Sequence, residues 1–217
     1  MYVPTQFQEN RPEVLHQFME RFPLAVLVGA TPGGIQASHI PLLYEPADGS
    51  HGRLKGHLAR ANSMWREIKA GAEVLAIFQG ASHYISPNWY PSKSEHGKVV
   101  PTWNYTAVHA RGRISWIHDP EWLRSLVGTL TERHERSSPS PWKISDAPSA
   151  YIDQMLSAIV GFEIALESLT GKWKLSQNRN AADRAGVVAA LSASSDVASR
   201  GMAALVAQPD GSKIDQS

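Results

Sequence analysis

The central stretch of the chain, residues 83–113, concentrates aromatic side chains, prolines and histidines that could bind a planar ligand. Trp and Tyr offer large flat apolar faces with a polar edge, which suits a planar organic molecule with polar substituents. The same side chains could instead fill the core of a β-barrel. The residues that could serve either purpose are Trp89, Tyr90, Trp103 and Tyr105.

Three shorter stretches carry cations, amides and histidines where strands are expected to end. Residues 56–62 pass from a strand into a helix, where free N–H groups and Arg60 could hold an anion. Residues 38–41 place His39 on a strand, and residues 171–179 combine cations, amides and a hydroxyl that could hold a phosphate or a ring carbonyl. Each stretch also has a structural alternative: a capped helix start, a hydrogen-bonded histidine or a basic surface hairpin.

Composition excludes several classes of site. The chain has no cysteine, so disulfides, thiolate chemistry and cysteine-ligated metals are excluded. A net charge of +1 without a run of basic residues gives no electrostatic footprint for nucleic acid, so direct DNA binding is doubtful. The sequence also lacks a G-x-S-x-G nucleophile elbow, an H-E-x-x-H zinc pair and the glycine-rich nucleotide motifs. No metal site and no catalytic residue is therefore assigned.

Length and hydropathy predict one globular domain in the cytoplasm. The 217 residues are 42% apolar and 19% charged, which supplies an ordinary core for a single domain. No apolar run approaches the roughly 20 residues of a membrane span, and no signal peptide is visible. We expect a soluble, cytoplasmic protein with no membrane partner. The domain is expected to span residues 1–207, with a helical part at about 180–207 and a disordered tail at 208–217.

Hydrophobic patterning predicts about seven closely spaced strands with short helices between them. The predicted strands are 24–30, 35–44, 53–58, 73–79, 82–86, 102–116 and a pair within 160–176 that breaks near Gly171. The predicted helices are 12–22, 61–70, 119–135, 151–159, 180–191 and 196–206. This order predicts a mainly β (α+β) domain, a β-barrel with peripheral helices.

Helix caps and face assignments follow from these boundaries. Asn10 and Asn62 are expected to cap the helices that follow them, and Trp65 to anchor the helix at 61–70. Asp119 is expected to cap the helix at 119–135. A turn is expected at residues 45–52. Alternation along the strand at 102–116 puts five residues on one face: Trp103, Tyr105, Ala107, His109 and Arg111.

Five ordered blocks of the sequence resemble the PaiB family, the "FMN-binding negative transcriptional regulators". The blocks are SHIPLLYE, GHLARANSMWREI, VLAIFQGASHYISPNWYPSK, VVPTWNYTAVHARGR and KLSQNRNAADRAGV. The resemblance extends over about residues 1–191, with Ser63 in place of the proline that usually follows R-A-N. The resemblance implies an FMN-binding split β-barrel that works as a homodimer, with the flavin site at the subunit interface.

The resemblance also implies which residues build the cofactor site. The residues implied at or near the phosphate and ribityl chain are Ser38, His39, His57, Arg60 and Asn62. Those implied to flank the ring are Trp103, Asn104 and Tyr105. Those implied to close the site are Lys174, Ser176, Gln177 and Arg179.

The same blocks resemble the piperazate synthases, haem-dependent enzymes that join two nitrogens of a hydroxylated ornithine. That alternative implies haem b with His57 as axial ligand. The sequence W-Y-P-S-K at residues 89–93 is closer to the PaiB side. The expected function is therefore a flavin-dependent oxidoreductase or a flavin-linked, indirect negative regulator of transcription, with haem-dependent N–N bond formation as the alternative.

Overall fold

The computed structural model describes residues 1–47 and 51–209, and its strands join one sheet. The strands are β1 (Gln8–Glu9), β2 (Leu24–Thr31), β3 (Gly34–Pro41), β4 (Leu43–Glu45), β5 (Arg53–Ala59), β6 (Glu73–Ile85), β7 (Thr102–Ile117) and β8 (Ile159–Lys174). The helices are α1 (Pro12–Arg21), α2 (Met64–Glu67), α3 (Ser92–His96), α4 (Pro120–Glu135), α5 (Ser149–Ser157), α6 (Ala181–Ser192) and α7 (Val197–Ala207). The expected turn at 45–52 and tail at 208–217 lie partly outside the described residues.

The sheet follows the order β3-β2-β6-β7-β8-β5-β4, with β1 paired to β8. The pairings of β2 with β3 and β6, and of β8 with β1 and β5, are antiparallel. β3 is an edge strand, and its Ser38 and His39 lie opposite Leu27 and Val26 of β2. The prediction of a mainly β protein with peripheral helices is confirmed.

Two predicted strand breaks are wrong, because the glycines that suggested them are needed for packing. β6 and β8 each run without interruption through the points where strand pairs were expected. A Cβ at Gly80 would lie 2.5 Å from Thr106 Oγ1 and 2.8 Å from the Phe18 ring. A Cβ at Gly171 would lie 2.5 Å from Leu15 Cδ2. Only glycine allows these approaches, so both positions serve close packing inside a strand.

The predicted positions of α1 and α4 are confirmed, but only the N-cap predicted for α4 is confirmed. α1 starts with Pro12 in its first turn and buries an apolar stripe against the core. Its N-cap is Arg11, which makes no side-chain cap bond, so the assignment to Asn10 is wrong. Asp119 caps α4 as predicted, since its Oδ1 accepts from the Glu121 N–H at 3.0 Å.

The helix predicted at 61–70 is the single turn α2. Asn62 lies just before it, and its Oδ1 accepts from the Met64 N–H at 3.0 Å. Met64 and Ile68 are the fully buried anchors, whereas Trp65 is half-buried and donates its Nε1–H to the Arg60 carbonyl at 2.9 Å. The prediction that Trp65 anchors this helix is therefore wrong.

The described residues form two compact units. Unit 1 contains residues 1–22, 78–109 and 169–209, and unit 2 contains residues 23–47, 51–77 and 110–168. In unit 1 the Phe18 and Trp173 rings lie 4.9 Å apart. In unit 2 Trp116 meets Phe162 edge-on at 5.7 Å. The predicted domain boundaries stay a prediction.

Within residues 1–47 and 51–209, no helix combines the length and the apolar character that crossing a membrane requires.

Candidate functional site

Three cations of unit 1 lie close together at and just beyond the end of β8. Burial lowers the pKa of Lys174, and the neighbouring charges of Lys172 and Arg179 lower it further. Among the described residues, none of the three forms an ion pair with a carboxylate. Their positive charge is left uncompensated, so this cluster suits an anion.

Aromatic rings lie beside these cations on the strands of unit 1. Trp103 is 56% exposed and meets Tyr84, which is 43% exposed, edge-on with ring centres 6.0 Å apart. Tyr105 lies on the same face of β7 as Trp103, and the Lys172 ammonium lies 5.2 Å from its ring centre. We call this region the aromatic–cationic surface and define it by Tyr84, Trp103, Tyr105, Lys172, Lys174 and Arg179.

Two of the residues implied for the cofactor site are buried and paired with each other. Asn104 points to the opposite face of β7 from Trp103, is 0% exposed, and donates to the Ser176 hydroxyl at 2.9 Å. Ser176 is 3% exposed and has a φ of 64°, the left-handed region that side chains rarely adopt. The pair therefore fixes the turn after β8 and holds the backbone of the exposed residues next to Asn104 and Ser176.

The remaining residues of this turn are also held in place. Both ends of the Gln177 amide are used, because Oε1 accepts from the Leu175 N–H at 2.7 Å and Nε2 donates to the Trp173 carbonyl at 2.6 Å. The Arg179 guanidinium lies 4.5 Å above the ring of buried Tyr90. Lys174 donates to the Thr102 hydroxyl. The turn presents Lys174 and Arg179 on a constrained backbone.

In unit 2, Arg60 already has partners. Its Nε donates to the Ser157 carbonyl at 2.7 Å and its Nη2 to the Ile159 carbonyl at 2.8 Å. These carbonyls lie at the end of α5 and the start of β8, where a cation also meets the negative end of the helix dipole. Arg60 therefore has a structural role at this point of the fold, next to the anion-binding role that the sequence suggested.

Ser38 and Asn62 are brought together, as the sequence blocks implied. The Asn62 Nδ2 donates to the Ser38 hydroxyl at 3.1 Å. The Met64 N–H, one of the donors expected to be free for an anion, is instead satisfied by Asn62. His39 is exposed on the edge strand β3. The turn therefore offers an anion fewer donors than the sequence suggested.

His57 lies on β5 next to Gly56, where a Cβ would approach the Phe162 ring to 2.7 Å. Its ring is half-buried, and burial lowers its pKa. The Nδ1 atom is buried without a hydrogen-bond partner in the part of the chain that the structure describes. The ring lines a cavity of about 340 Å³ beside α4. A neutral imidazole at a cavity wall can donate or accept one hydrogen bond.

The structure also adds residues that the family resemblance did not name. Lys172 belongs to the stretch 171–179 that the sequence selected for its cations, and it lies two positions before Lys174 on β8, so both point to the same face. Tyr84 could be identified only from the structure, because its place in the surface follows from its contact with the Trp103 ring. The described residues contain no group of three or more His, Asp or Glu side chains that could hold a metal ion.

Comparison with known sequences identifies a family model and relatives that cover most of the chain. A family model described as "Putative FMN-binding domain" matches residues 1–168. The "Protease synthase and sporulation protein PAI 2" of Bacillus subtilis is 34% identical over 191 residues, covering 88% of this chain and 89% of that protein. An uncharacterized protein of Emericella nidulans is 34% identical over 223 residues, covering 87% of this chain and 89% of that protein.

Two solved structures share the fold. The FAD and heme binding protein from Mycobacterium smegmatis superposes with a TM-score of 0.55 at 16% identity, covering 77% of this chain and 73% of that chain. The flavocytochrome Anf3 from Azotobacter vinelandii gives a TM-score of 0.56 at 11% identity, covering 82% and 75%. These likenesses confirm the predicted split-barrel fold.

Proposed function

Because this chain belongs to the PaiB family, whose sequence model describes an FMN-binding domain, we propose that it binds FMN and uses it in a redox reaction. The observation that carries this proposal is the aromatic–cationic surface of unit 1. FMN combines a flat ring with a phosphate dianion, and this surface combines exposed rings with three cations that lack carboxylate partners.

The charges of this surface fit the phosphate. Lys174 is partly buried near like charges, which disfavours its charged form when no anion is bound. A phosphate held by Lys172, Lys174 and Arg179 would compensate those charges through charge-assisted hydrogen bonds. The sequence pointed to Arg60 as the anchor, but its guanidinium already serves two carbonyls. The contacts implied at Ser38, His39 and Asn62 stay proposals, and the proposed function assigns no flavin contact to His57 or Arg60.

The chain's own residues would orient the ring and favour its reduction. Trp103 offers an exposed face or edge for the ring, and the buried Asn104–Ser176 pair keeps the neighbouring backbone fixed. Bound FMN supplies hydride and single-electron transfer. The positive charge of this cluster would also favour the negative charge that reduction adds to the flavin.

We propose that any negative effect on transcription is indirect, through metabolism or a partner protein. A net charge of +1 supplies no basic stripe for phosphate contacts along DNA. We also retain FMN over haem. The structural relative from Mycobacterium smegmatis is an FAD and heme binding protein, whereas the family model that matches this chain is named for FMN.

We further propose that the protein is a homodimer whose second copy covers the exposed rings. Trp103 and Tyr84 together present apolar area of the kind that marks interfaces. Light scattering should give twice the chain mass at micromolar concentration. A monomer mass, with or without FMN, would contradict this proposal.

Titration of the flavin-free protein with FMN and with riboflavin tests the proposed function. We expect saturable binding of FMN, which is measured through the quenching of flavin fluorescence. Riboflavin lacks the phosphate, so it should bind about 10-fold to 100-fold more weakly, the equivalent of about 1.5–3 kcal/mol for a charged hydrogen bond. Trp103→Ala should weaken both by roughly 1 kcal/mol through lost ring contact.

Trp142→Ala is the matched control, since Trp142 is a similarly exposed tryptophan of unit 2. It should bind both flavins like the wild type. Stoichiometric binding of haemin without any binding of FMN would overturn the proposal and favour the haem alternative.

A further inference from the structure

A cavity in unit 2 lies beside α4 and has no role in the function proposed above. Its volume is about 340 Å³, at the small end of the range for ligand pockets. Its wall is mostly apolar and includes Pro41, His57, Val127, Leu130, Thr131 and Trp142. Such a cavity has room for one substituted ring.

His57 is a polar group of this wall whose buried Nδ1 atom has no protein partner among the described residues, and His134 of α4 is a second imidazole on the wall. Neither ring nitrogen forms a hydrogen bond within residues 1–47 and 51–209, and Nδ1 is fully buried. Burial favours the neutral ring, which carries a single N–H. A buried N–H without an acceptor is costlier than a buried acceptor without a donor, so the proton belongs on Nε2. The Nε2–H of His57 can therefore donate a hydrogen bond to an acceptor oxygen of a ligand.

The charge at the cavity disfavours anions. Glu135 lies on the cavity wall and accepts from the Trp142 N–H at 3.1 Å, which fixes the loop after α4 against the helix. A ligand carboxylate or phosphate would meet this carboxylate beside the buried His57 ring, with the His134 imidazole as the other titratable group of the wall. The wall thus favours a molecule without charge.

We propose that this cavity binds an uncharged, single-ring organic molecule whose carbonyl-type oxygen accepts a hydrogen bond from His57. The inference is independent of FMN binding, because every residue that carries it belongs to unit 2. The ligand class is set by three features: the cavity volume, its mostly apolar wall and the unpartnered His57 ring.

Three probe molecules of similar size test this proposal on the full chain by isothermal titration and by NMR of ¹⁵N-histidine-labelled protein. Acetophenone supplies a ring and an acceptor, ethylbenzene supplies the ring alone, and benzoate supplies the ring with a negative charge. We expect saturable acetophenone binding that shifts the His57 signals. Benzoate should bind about tenfold more weakly or not at all, because its charge is not compensated in this cavity.

Variants of cavity residues then test whether the probe molecules bind in this cavity. His57→Phe keeps an apolar ring but removes the donor, so acetophenone should weaken about threefold to tenfold while ethylbenzene is unaffected. Thr131→Trp should fill the cavity and abolish binding of both. Thr129→Trp is the matched control, because Thr129 lies on α4 but is exposed and does not line the cavity.

Several results would overturn the proposal. They are the absence of saturable acetophenone binding, equal affinity for benzoate, unchanged acetophenone affinity in His57→Phe, or full binding in Thr131→Trp. Loss of binding in Trp103→Ala would place the probe on unit 1 instead. A haem Soret band that disappears in His57→Phe would assign His57 to iron. If Thr131→Trp or His57→Phe fails to fold by circular dichroism, the other variant decides.

Discussion

Two regions of the molecule carry cations that could meet an anionic cofactor, and they use them differently. In unit 2 the Arg60 guanidinium donates to two main-chain carbonyls where α5 ends and β8 begins. In unit 1 the cluster of Lys172, Lys174 and Arg179 has no carboxylate partner among the described residues. A cation that completes a helix end stabilises the fold, whereas uncompensated cations gain most when an anion binds.

Removing Arg60 should give the largest loss of stability. Arg60→Ala leaves two carbonyls without their charged donor, so the free energy of unfolding should fall by about 2–4 kcal/mol. Urea unfolding measures this. Arg66→Ala is the control, since Arg66 is exposed and makes one long hydrogen bond of 3.3 Å and a surface contact with the Trp65 ring at 4.7 Å, and it should change stability by about 1 kcal/mol or less. An Arg60→Ala variant as stable as the wild type would show that these bonds do not contribute.

Neighbouring positions on β7 should separate stability from binding. Asn104→Ala leaves the buried Ser176 hydroxyl without its partner and should cost about 1–3 kcal/mol of unfolding free energy. Trp103→Ala, one residue away on the exposed face, should stay within about 0.5 kcal/mol of wild type while weakening flavin binding. Equal stability of the two variants would contradict the assignment of opposite faces.

The sequence predicted the positions of most strands and helices because their signals are local. Proline in the first turn of α1, Asp119 at the start of α4 and alternation along β7 act within a few residues. The false breaks near Gly80 and Gly171 arose because the reason for each glycine is a distant neighbour. Thr106 lies on β7, the strand after the one that holds Gly80, and no local pattern around Gly80 reveals this contact.

The candidate site was predicted by residue type, and this is where sequence reasoning reached its limit. It selected Arg60 and Lys174 with equal justification, since both are cations in blocks shared with the family. Whether a cation is already used depends on carbonyls almost one hundred positions away, as the contacts of Arg60 with Ser157 and Ile159 show. The burial of Asn104 beneath exposed Trp103 likewise depends on the packing of β7 in the sheet.

His57 should give a smaller, pH-dependent effect. Burial lowers its folded pKa, while the unfolded chain keeps the ordinary value of about 6.5. Below about pH 6.5 the unfolded state therefore binds more protons, so stability is retained above this pH and falls as pH drops toward the folded pKa. Wild type should lose unfolding free energy relative to His57→Phe over this range. Parallel pH profiles for the two proteins would contradict the burial of the neutral ring.

The central claim, that the cations of unit 1 and not Arg60 meet the phosphate, is tested by comparing FMN with riboflavin in Lys174→Met and Arg60→Ala. FMN affinity should fall about tenfold or more in Lys174→Met, since the loss of a hydrogen bond to a charged group costs at least about 1.5 kcal/mol. Riboflavin affinity should stay unchanged. Arg60→Ala, measured where it is folded, should keep the preference for FMN, as should Lys69→Met, which removes an exposed lysine of unit 2. An unchanged FMN preference in Lys174→Met together with its loss in Arg60→Ala would contradict the account.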